Sequence, residues 1–274
     1  MRVIVHVSDL HFGRVDPVMP PVLARAINAV RPDIVVVSGD LTQRARRAEF
    51  LQARAFLDTL PEPRIVVPGN HDIPMHDVLS RWLRPLDKYK HYIAADTEPF
   101  HADSEVAVLG LNTARALVIK NGRLNRSQLS RAREKLAQGG EALTRVVVTH
   151  HPFDPGEGHD LIGHAAMAMT VFAELGVDLI LSGHLHVSRH SASAARYRLA
   201  GHSAVLIQAG TATSSRHRGE RNAWNVIRIA RPDIAIETMT WEEGKADFTV
   251  SATRHFRLGA QGWARVHGAT APED

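Results

Sequence analysis

No cysteine occurs among the 274 residues. Its absence removes disulfide frameworks, thiolate zinc sites, cysteine-ligated iron–sulfur clusters and cysteine nucleophiles together. Any metal must then be held mainly by nitrogen and oxygen. Aromatic residues make up only 5% of the chain, too few for the base-stacking track that nucleic-acid enzymes use, so nucleic acid is disfavoured as a partner. No apolar run approaches the roughly 20 residues of a membrane span, and Val3-Ile4-Val5-His6-Val7 is too short for a signal-peptide core. A cytoplasmic protein with no membrane span is the expectation. Lysine is scarce as well: it supplies five of the 33 basic residues, leaving 28 arginines. The net charge of +4 suits small anionic substrates without arguing for a polyanion.

What the chain does have is histidine, 17 residues of it, and position decides what they do. Short β-branched runs at Arg2–Val7, Asp33–Val37, Arg64–Val67, Glu105–Leu111, Arg145–Thr149 and Asp178–Leu181 read as buried strands. Between them, Val18–Val30, Arg46–Leu60, Asn125–Gln138 and Ala165–Leu175 have helical periodicity, with Asn125 and Gln128 spaced as a capping box. This alternation predicts an α/β fold whose first sheet is largely parallel. From Tyr197–Leu199 onward the runs Ala204–Ala209, Ala223–Ala230, Ile234–Trp241 and Phe248–Phe256 leave no room for long helices. They predict a second, more antiparallel sheet, hence a two-sheet β-sandwich flanked by helices. Residues 1–258 are read as one domain, with 75–101 as a partly helical excursion that caps the site or packs in the core. Residues 259–274 are read as a loose tail. In the excursion Leu79, Trp82, Leu83, Leu86 and Tyr89 form an apolar stripe for which core packing is the default.

The strands run into polar clusters: Ser8-Asp9-Leu10-His11, Ser38-Gly39-Asp40, Gly69-Asn70-His71-Asp72, Thr149-His150-His151-Pro152 and Ser182-Gly183-His184-Leu185-His186. In an open α/β sheet the carboxyl ends of strands are where ligands bind. Asp-x-His and His-x-His put both donors on one side of an extended segment. Each cluster alone admits a plainer reading, a strand cap for Asp9 and His11 or a turn for Asp40 and for Asn70-His71-Asp72. Five of them on one rim point to metal instead. The imidazole, carboxylate and amide-oxygen set suits manganese, iron, zinc or cobalt better than calcium.

In order and residue type, this series resembles the calcineurin-like metallophosphoesterase superfamily, with motifs spanning residues 9 to 186. The resemblance implies an αββα fold holding two divalent ions, manganese or iron favoured. It assigns Asp9, His11 and His186 to one ion and Asn70, His150 and His184 to the other, with Asp40 bridging. The choice of His150 over His151 rests on strand alignment and stays open. By the same resemblance His71 contacts the phosphate and protonates the leaving group, and Asp72 orients His71. Two such ions would activate a shared water for in-line attack on phosphorus.

Asp-Leu-His, Gly-Asn-His-Asp, His-His-Pro and Gly-His-Leu-His on a short chain, with Gly210–Ser215 and Asn222–Ile227 later, resemble bacterial class III 3′,5′-cyclic nucleotide phosphodiesterases. The resemblance implies a phosphoric diester hydrolase acting on a small diester, a 3′,5′-cyclic nucleotide as the best specific choice. A nucleotide-sugar-lipid pyrophosphatase, a nuclease and a non-catalytic scaffold are the alternatives. Asn112, at a strand end, and Arg216 and Arg218, in a basic loop, are candidate substrate contacts. A homodimer is left open.

Overall fold

The computed structural model describes the chain except for residues 76, 117–120, 139, 141–142, 155, 157–160, 216–218 and 267–274. Strands β1 (Arg2–Val7), β2 (Ile34–Val37) and β3 (Arg64–Val66) alternate with helices α1 (Met19–Val30) and α2 (Arg47–Leu57). Helices α3 (Val78–Leu83) and α4 (Asp87–Tyr92) follow, then β4 (Phe100–Ala102) and β5 (Val106–Gly110). Next come α5 (Arg126–Leu136), β6 (Thr144–Val148), α6 (Ala165–Glu174) and β7 (Val177–Ser182). The chain continues through β8 (Arg189–Ala192), β9 (Val205–Gln208), β10 (Ala223–Ala230), β11 (Asp233–Glu242), β12 (Asp247–Gly259) and β13 (Gly262–Val266).

Two sheets face each other. The first has seven strands in the order β13-β12-β11-β10-β1-β2-β3, the second six in the order β4-β5-β6-β7-β9-β8. Ile4, Val36 and Ile65 of the first sheet meet Val108, Val146, Leu181 and Ile207 of the second in a shared apolar layer. The other face of the first sheet, with Val5, Val37 and Trp224, is covered by Leu23 and Ile27 of α1, Phe50 of α2 and Tyr89 of α4. Leu129 of α5 and Phe172 of α6 cover Leu109, Val147 and Ile180 on the second sheet. Burial on both faces is why the inner strands read as unbroken β-branched runs rather than alternating ones. The expected capping box is present: Asn125 Oδ1 accepts from Gln128 N at 2.9 Å, and Gln128 Oε1 accepts from Asn125 N at 3.1 Å.

The two-sheet architecture agrees with the sequence; the partition of strands between sheets does not. Antiparallel β10–β13 do not form a sheet of their own. β10 pairs directly with β1, Val5 opposite Val226, so the late strands extend the sheet that β1–β3 begin. β5, β6, β7 and β9 form the parallel heart of the other sheet. Periodicity reports burial on each face but carries no information on which strand a long-range neighbour will be. Tyr197–Leu199 is not a strand, and β8 lies earlier, at Arg189–Ala192. Nor is residue 259 the start of a loose tail. Gly262–Val266 pairs with β12, and Trp263 is buried with its Nε1 donating to Asp178 Oδ1 at 2.8 Å. The excursion stripe divides: Leu86 and Tyr89 are buried, whereas Leu79, Trp82 and Leu83 are 71%, 63% and 71% exposed. Core packing is therefore corrected for those three.

Candidate metal centre

The polar clusters gather where β1, β2 and β3 of one sheet and β6 and β7 of the other reach their carboxyl ends. Their backbone is not extended. Among the described residues nine non-glycine positions have positive φ, and five are Asp9 (53°), His11 (49°), Asp40 (51°), His184 (77°) and His186 (60°). A left-handed conformation is unfavourable for a side chain with Cβ and persists where surroundings over-determine it, most often at functional sites. Strand alternation is therefore corrected as the reason Asp9/His11 and His184/His186 converge. Tight left-handed turns straight off the strands do it instead, braced by backbone bonds from Asp9 N to Gly39 O (3.1 Å) and His11 N to Asp40 O (2.9 Å).

Two groups of donors result. In the first, Asp9, His11 and His186 bring one ligand atom each within 4.8 Å of the others. His11 Nε2 and His186 Nε2 are 3.0 Å apart. Asp9 Oδ1 lies 3.6 Å from the former and 3.2 Å from the latter. Asp9 Oδ2 accepts from Ser8 Oγ (2.6 Å) and His184 N (2.9 Å), whereas Oδ1 is buried without a hydrogen bond. An unsatisfied carboxylate oxygen facing two imidazole nitrogens fits a cation, because buried polar atoms otherwise find partners.

The second group holds His150 Nε2, 3.1 Å from Asn70 Oδ1 and 3.3 Å from His184 Nδ1. His150 Nδ1 lies 2.8 Å from the Ser38 carbonyl. Donation there leaves the Nε2 lone pair for a metal, the usual orientation of a ligating imidazole. His151 also comes within reach of His150 and His184, but its Nδ1 lies 2.8 Å from Thr113 Oγ1. Asp40 spans the groups: Oδ2 is 3.7 Å from His11 Nε2, and Oδ1 is 3.3 Å from His150 Nε2. Gly69 leaves this carboxylate its room, since a Cβ there would lie 2.1 Å from Asp40 Oδ1.

Electrostatics fit the same picture. Burial disfavours charge on Asp40, yet His150, His71 and His11 hold its carboxyl well below the usual range. Asp9 is likewise held low against its burial, chiefly by His186. Burial works against charge on His150 too, but Asp40 outweighs it and pushes this imidazole up to about 9. A cation here would replace that proton.

Asp72 has a different place from the one expected. Its carboxylate accepts from Thr42 N (2.9 Å), Leu41 N (3.2 Å), Thr42 Oγ1 (3.0 Å) and Gly69 N (2.9 Å), tying the turn after β2 to the turn after β3. The direct partner of the His71 ring is the Gln43 carbonyl, 2.8 Å from Nδ1. Orientation of His71 by Asp72 is thus corrected to an indirect one, through Thr42 and its neighbour Gln43. Burial, then Asp40, push the Asp72 carboxyl up to about 6. His71 stands beside the first group, its ring centroid 4.9 Å from that of His11 in an edge-on contact.

Asn112 lies at the end of β5 with Oδ1 accepting from Ala114 N at 3.0 Å. Arg216 and Arg218 lie outside the described residues. Bracing roles that the sequence does not assign lie behind the centre. Thr211 Oγ1 donates to Asp9 O and Thr213 Oγ1 to Leu10 O, each at 2.7 Å. His6 Nε2 meets Ser38 Oγ at 2.8 Å, next to the carbonyl that holds His150. A polar residue inside an apolar strand was the available signal for His6, and Ser38 heads the polar cluster that follows β2.

The profile of calcineurin-like phosphoesterases matches residues 2–188. The 3′,5′-cyclic adenosine monophosphate phosphodiesterase CpdA of Escherichia coli (strain K12) is 27% identical over 173 residues, 58% of either chain. The glycerophosphodiester phosphodiesterase GpdQ of Enterobacter lignolyticus (strain SCF1) is 45% identical over 56 residues, 20% of this chain and 19% of that one. The chain thus aligns with little more than half the length of these curated relatives at most. Solved structures of similar fold include a purple acid phosphatase from yellow lupin seeds, with a TM-score of 0.66 and 12% identity over 93% of this chain and 53% of that one. A dimetal phosphatase from Danio rerio gives 0.64 and 14% over 86% and 95%. The profile match spans the five clusters that form the centre, and the chain belongs to the calcineurin-like phosphoesterase family.

Proposed function

We propose that the protein is a dinuclear metal-dependent phosphodiesterase that hydrolyses a small phosphodiester, a 3′,5′-cyclic nucleotide being the best specific choice. The observation that carries this reading is Asp40, whose two carboxylate oxygens face different histidine groups, Oδ2 toward His11 and Oδ1 toward His150. A carboxylate so placed joins two cation sites into one centre. Asp9, His11 and His186 would hold one ion and Asn70, His150 and His184 the other. When bound, such a pair supplies an activated water and neutralises the charge on the phosphate.

The remaining work falls to the chain's own groups. With Nδ1 held by the Gln43 carbonyl, His71 has Nε2 left to meet a phosphate oxygen and deliver a proton to the departing alkoxide. Asp72 keeps the two turns in register, so His71 and Asp40 hold fixed positions; His71 N itself donates to Asp40 Oδ1 at 2.9 Å. The similarity to CpdA and GpdQ supports a diester over a monoester. Manganese or iron is favoured by the His, Asp and Asn donor set. One domain over 1–258, now extended through β13, carries the whole site.

The test is hydrolysis of 3′,5′-cyclic AMP and bis(p-nitrophenyl) phosphate against the monoester p-nitrophenyl phosphate by metal-stripped protein resupplied with manganese. Diester cleavage at least tenfold above monoester cleavage, abolished in Asp40→Ala, is expected. A folded, metal-loaded protein that cleaves no diester contradicts the proposal.

A further inference from the structure

α3 turns its apolar side outward. Val78 is 64% exposed, in line with Leu79, Trp82 and Leu83. The helix is nevertheless fixed: buried Arg81 donates from Nε to Ala116 O at 2.7 Å and from Nη1 to Pro74 O at 3.2 Å. Trp82 stands, largely exposed, at the edge of a cleft of about 550 Å³, whose other walls include Ile73, Leu86, Asn112, Ala114 and Arg123. Two stretches of its lining adjoin the centre along the chain. Ile73 follows His71-Asp72 directly, and Asn112 and Ala114 flank Thr113, whose Oγ1 is 2.8 Å from His151 Nδ1.

We infer that this cleft seats a planar heteroaromatic group carried by the diester, stacked on Trp82 with its polar edge toward Asn112. The inference rests on the phosphodiesterase reading and specifies which organic half of the substrate the enzyme selects. The volume fits a nucleoside-sized group. Asn112 Oδ1 is already taken by Ala114 N, so its Nδ2 is the donor left for a ring acceptor. An acyl chain would make no use of Asn112 and Arg123. A glycerol-like alcohol would leave the indole face unused. A heterocycle engages both, its face on the indole and its polar edge on Asn112.

Trp82 can be read directly, because Trp224, Trp241 and Trp263 are all buried. Acrylamide quenching of tryptophan fluorescence in the full-length, manganese-loaded protein then reports mainly on Trp82. Adenosine 5′-monophosphate and adenosine are expected to protect the fluorescence, and ribose 5-phosphate is not. Trp82→Ala should raise KM for 3′,5′-cyclic AMP about tenfold with kcat changed less than threefold, within the range for loss of a base–aromatic stack, and Trp82→Phe should recover most of the loss. Failure of both adenine compounds to protect overturns the inference, as does equal protection by ribose 5-phosphate. Protection that instead grows with protein concentration in the absence of nucleotide puts a second copy on α3 and also overturns it. Quenching needs no turnover, so protection by adenosine in a protein that cleaves no diester would leave the subsite standing and remove the phosphodiesterase reading. Diester cleavage without protection would do the reverse.

Discussion

At the residue scale the centre combines candidate ligands with their supports, and the two classes differ in legibility. Asp9, His11, Asp40, Asn70, His150, His184 and His186 could all be picked from sequence because each ends a strand in a short polar motif. The structure brings every one of them to the same place. Thr42 and Gln43 could not be picked, and Thr211 and Thr213 stood in the Gly210–Ser215 motif without a role, since all four act through backbone carbonyls, contacts that depend on long-range folding. The role of Asp72 illustrates the same limit: adjacency to His71 suggested a direct contact, and the turn geometry sends its carboxylate to Leu41, Thr42 and Gly69. The His71 ring lies edge-on to His11, with a nitrogen within 4.8 Å of the His11 and Asp40 donors, and is held at Nδ1 by the Gln43 carbonyl. If it serves the substrate rather than a metal, His71→Ala should keep its bound metal while kcat for a diester falls by about 100-fold or more. Metal content by mass spectrometry beside steady-state rates checks this. Loss of metal on that substitution would make His71 a ligand instead.

At the scale of elements, the site depends on turns that leave strands without delay. Left-handed φ at five candidate ligand positions replaces the alternation that an extended segment would have offered, and neighbouring turns together with the 211–213 segment hold it in place. Gly69 is the position where this is tested most cleanly. Its φ of −103° suits any residue, so substitution brings no backbone penalty, only a Cβ lying 2.1 Å from Asp40 Oδ1 and 2.3 Å from Asp40 N. Gly69→Ala should therefore displace the shared carboxylate and weaken metal binding by about 10- to 100-fold, the scale seen when a metal site's support is disturbed, with the far-ultraviolet circular dichroism spectrum retained. Titration of the metal-stripped variant with manganese, followed calorimetrically, gives the number. Unchanged affinity would mean that the turn after β3 can yield without moving Asp40. The helices and inner strands were legible because burial imposes periodicity. β8 and β13 were missed because short edge strands gain their regularity from partners, not from their own pattern.

Across the whole molecule, the layer between the sheets changes from apolar to polar as it nears the metal centre. Ile4 gives way to His6 on β1, and Ile227 to Asn225 on β10, its cross-strand partner. His190 Nε2 meets Asn225 Oδ1 at 3.1 Å, and Arg254 Nη1 meets His190 Nδ1 at the same distance. Burial lowers His6 to about 3, with His190 adding to the effect, and burial with Arg254 lowers His190 to about 4. The unfolded chain therefore binds more protons at these two positions between pH 6.5 and 4, so this contribution to stability is complete above pH 6.5 and is lost as pH falls through that window. The slope is up to about 1.4 kcal/mol per pH unit for each histidine. Asp72, pushed up to about 6, acts in the opposite sense between pH 6 and 3.8. Urea unfolding of metal-free protein at pH 7 and pH 5 should show lower stability at pH 5, and His6→Gln should flatten the difference. Equal slopes in both proteins would mean that His6 is not held neutral. Strand order, by contrast, was not legible at this scale, because β1 and β10 share no pattern that names them as partners. The central claim is that two cations straddle Asp40 and act together on a phosphodiester. The measurement that tests it most directly is the rate of bis(p-nitrophenyl) phosphate hydrolysis as metal-stripped protein is titrated with manganese. Two equivalents bound per chain are expected, with hydrolysis rising mainly with the second, and neither behaviour in Asp40→Ala; full activity at one equivalent, or two equivalents bound without hydrolysis, would contradict a centre of two cooperating cations.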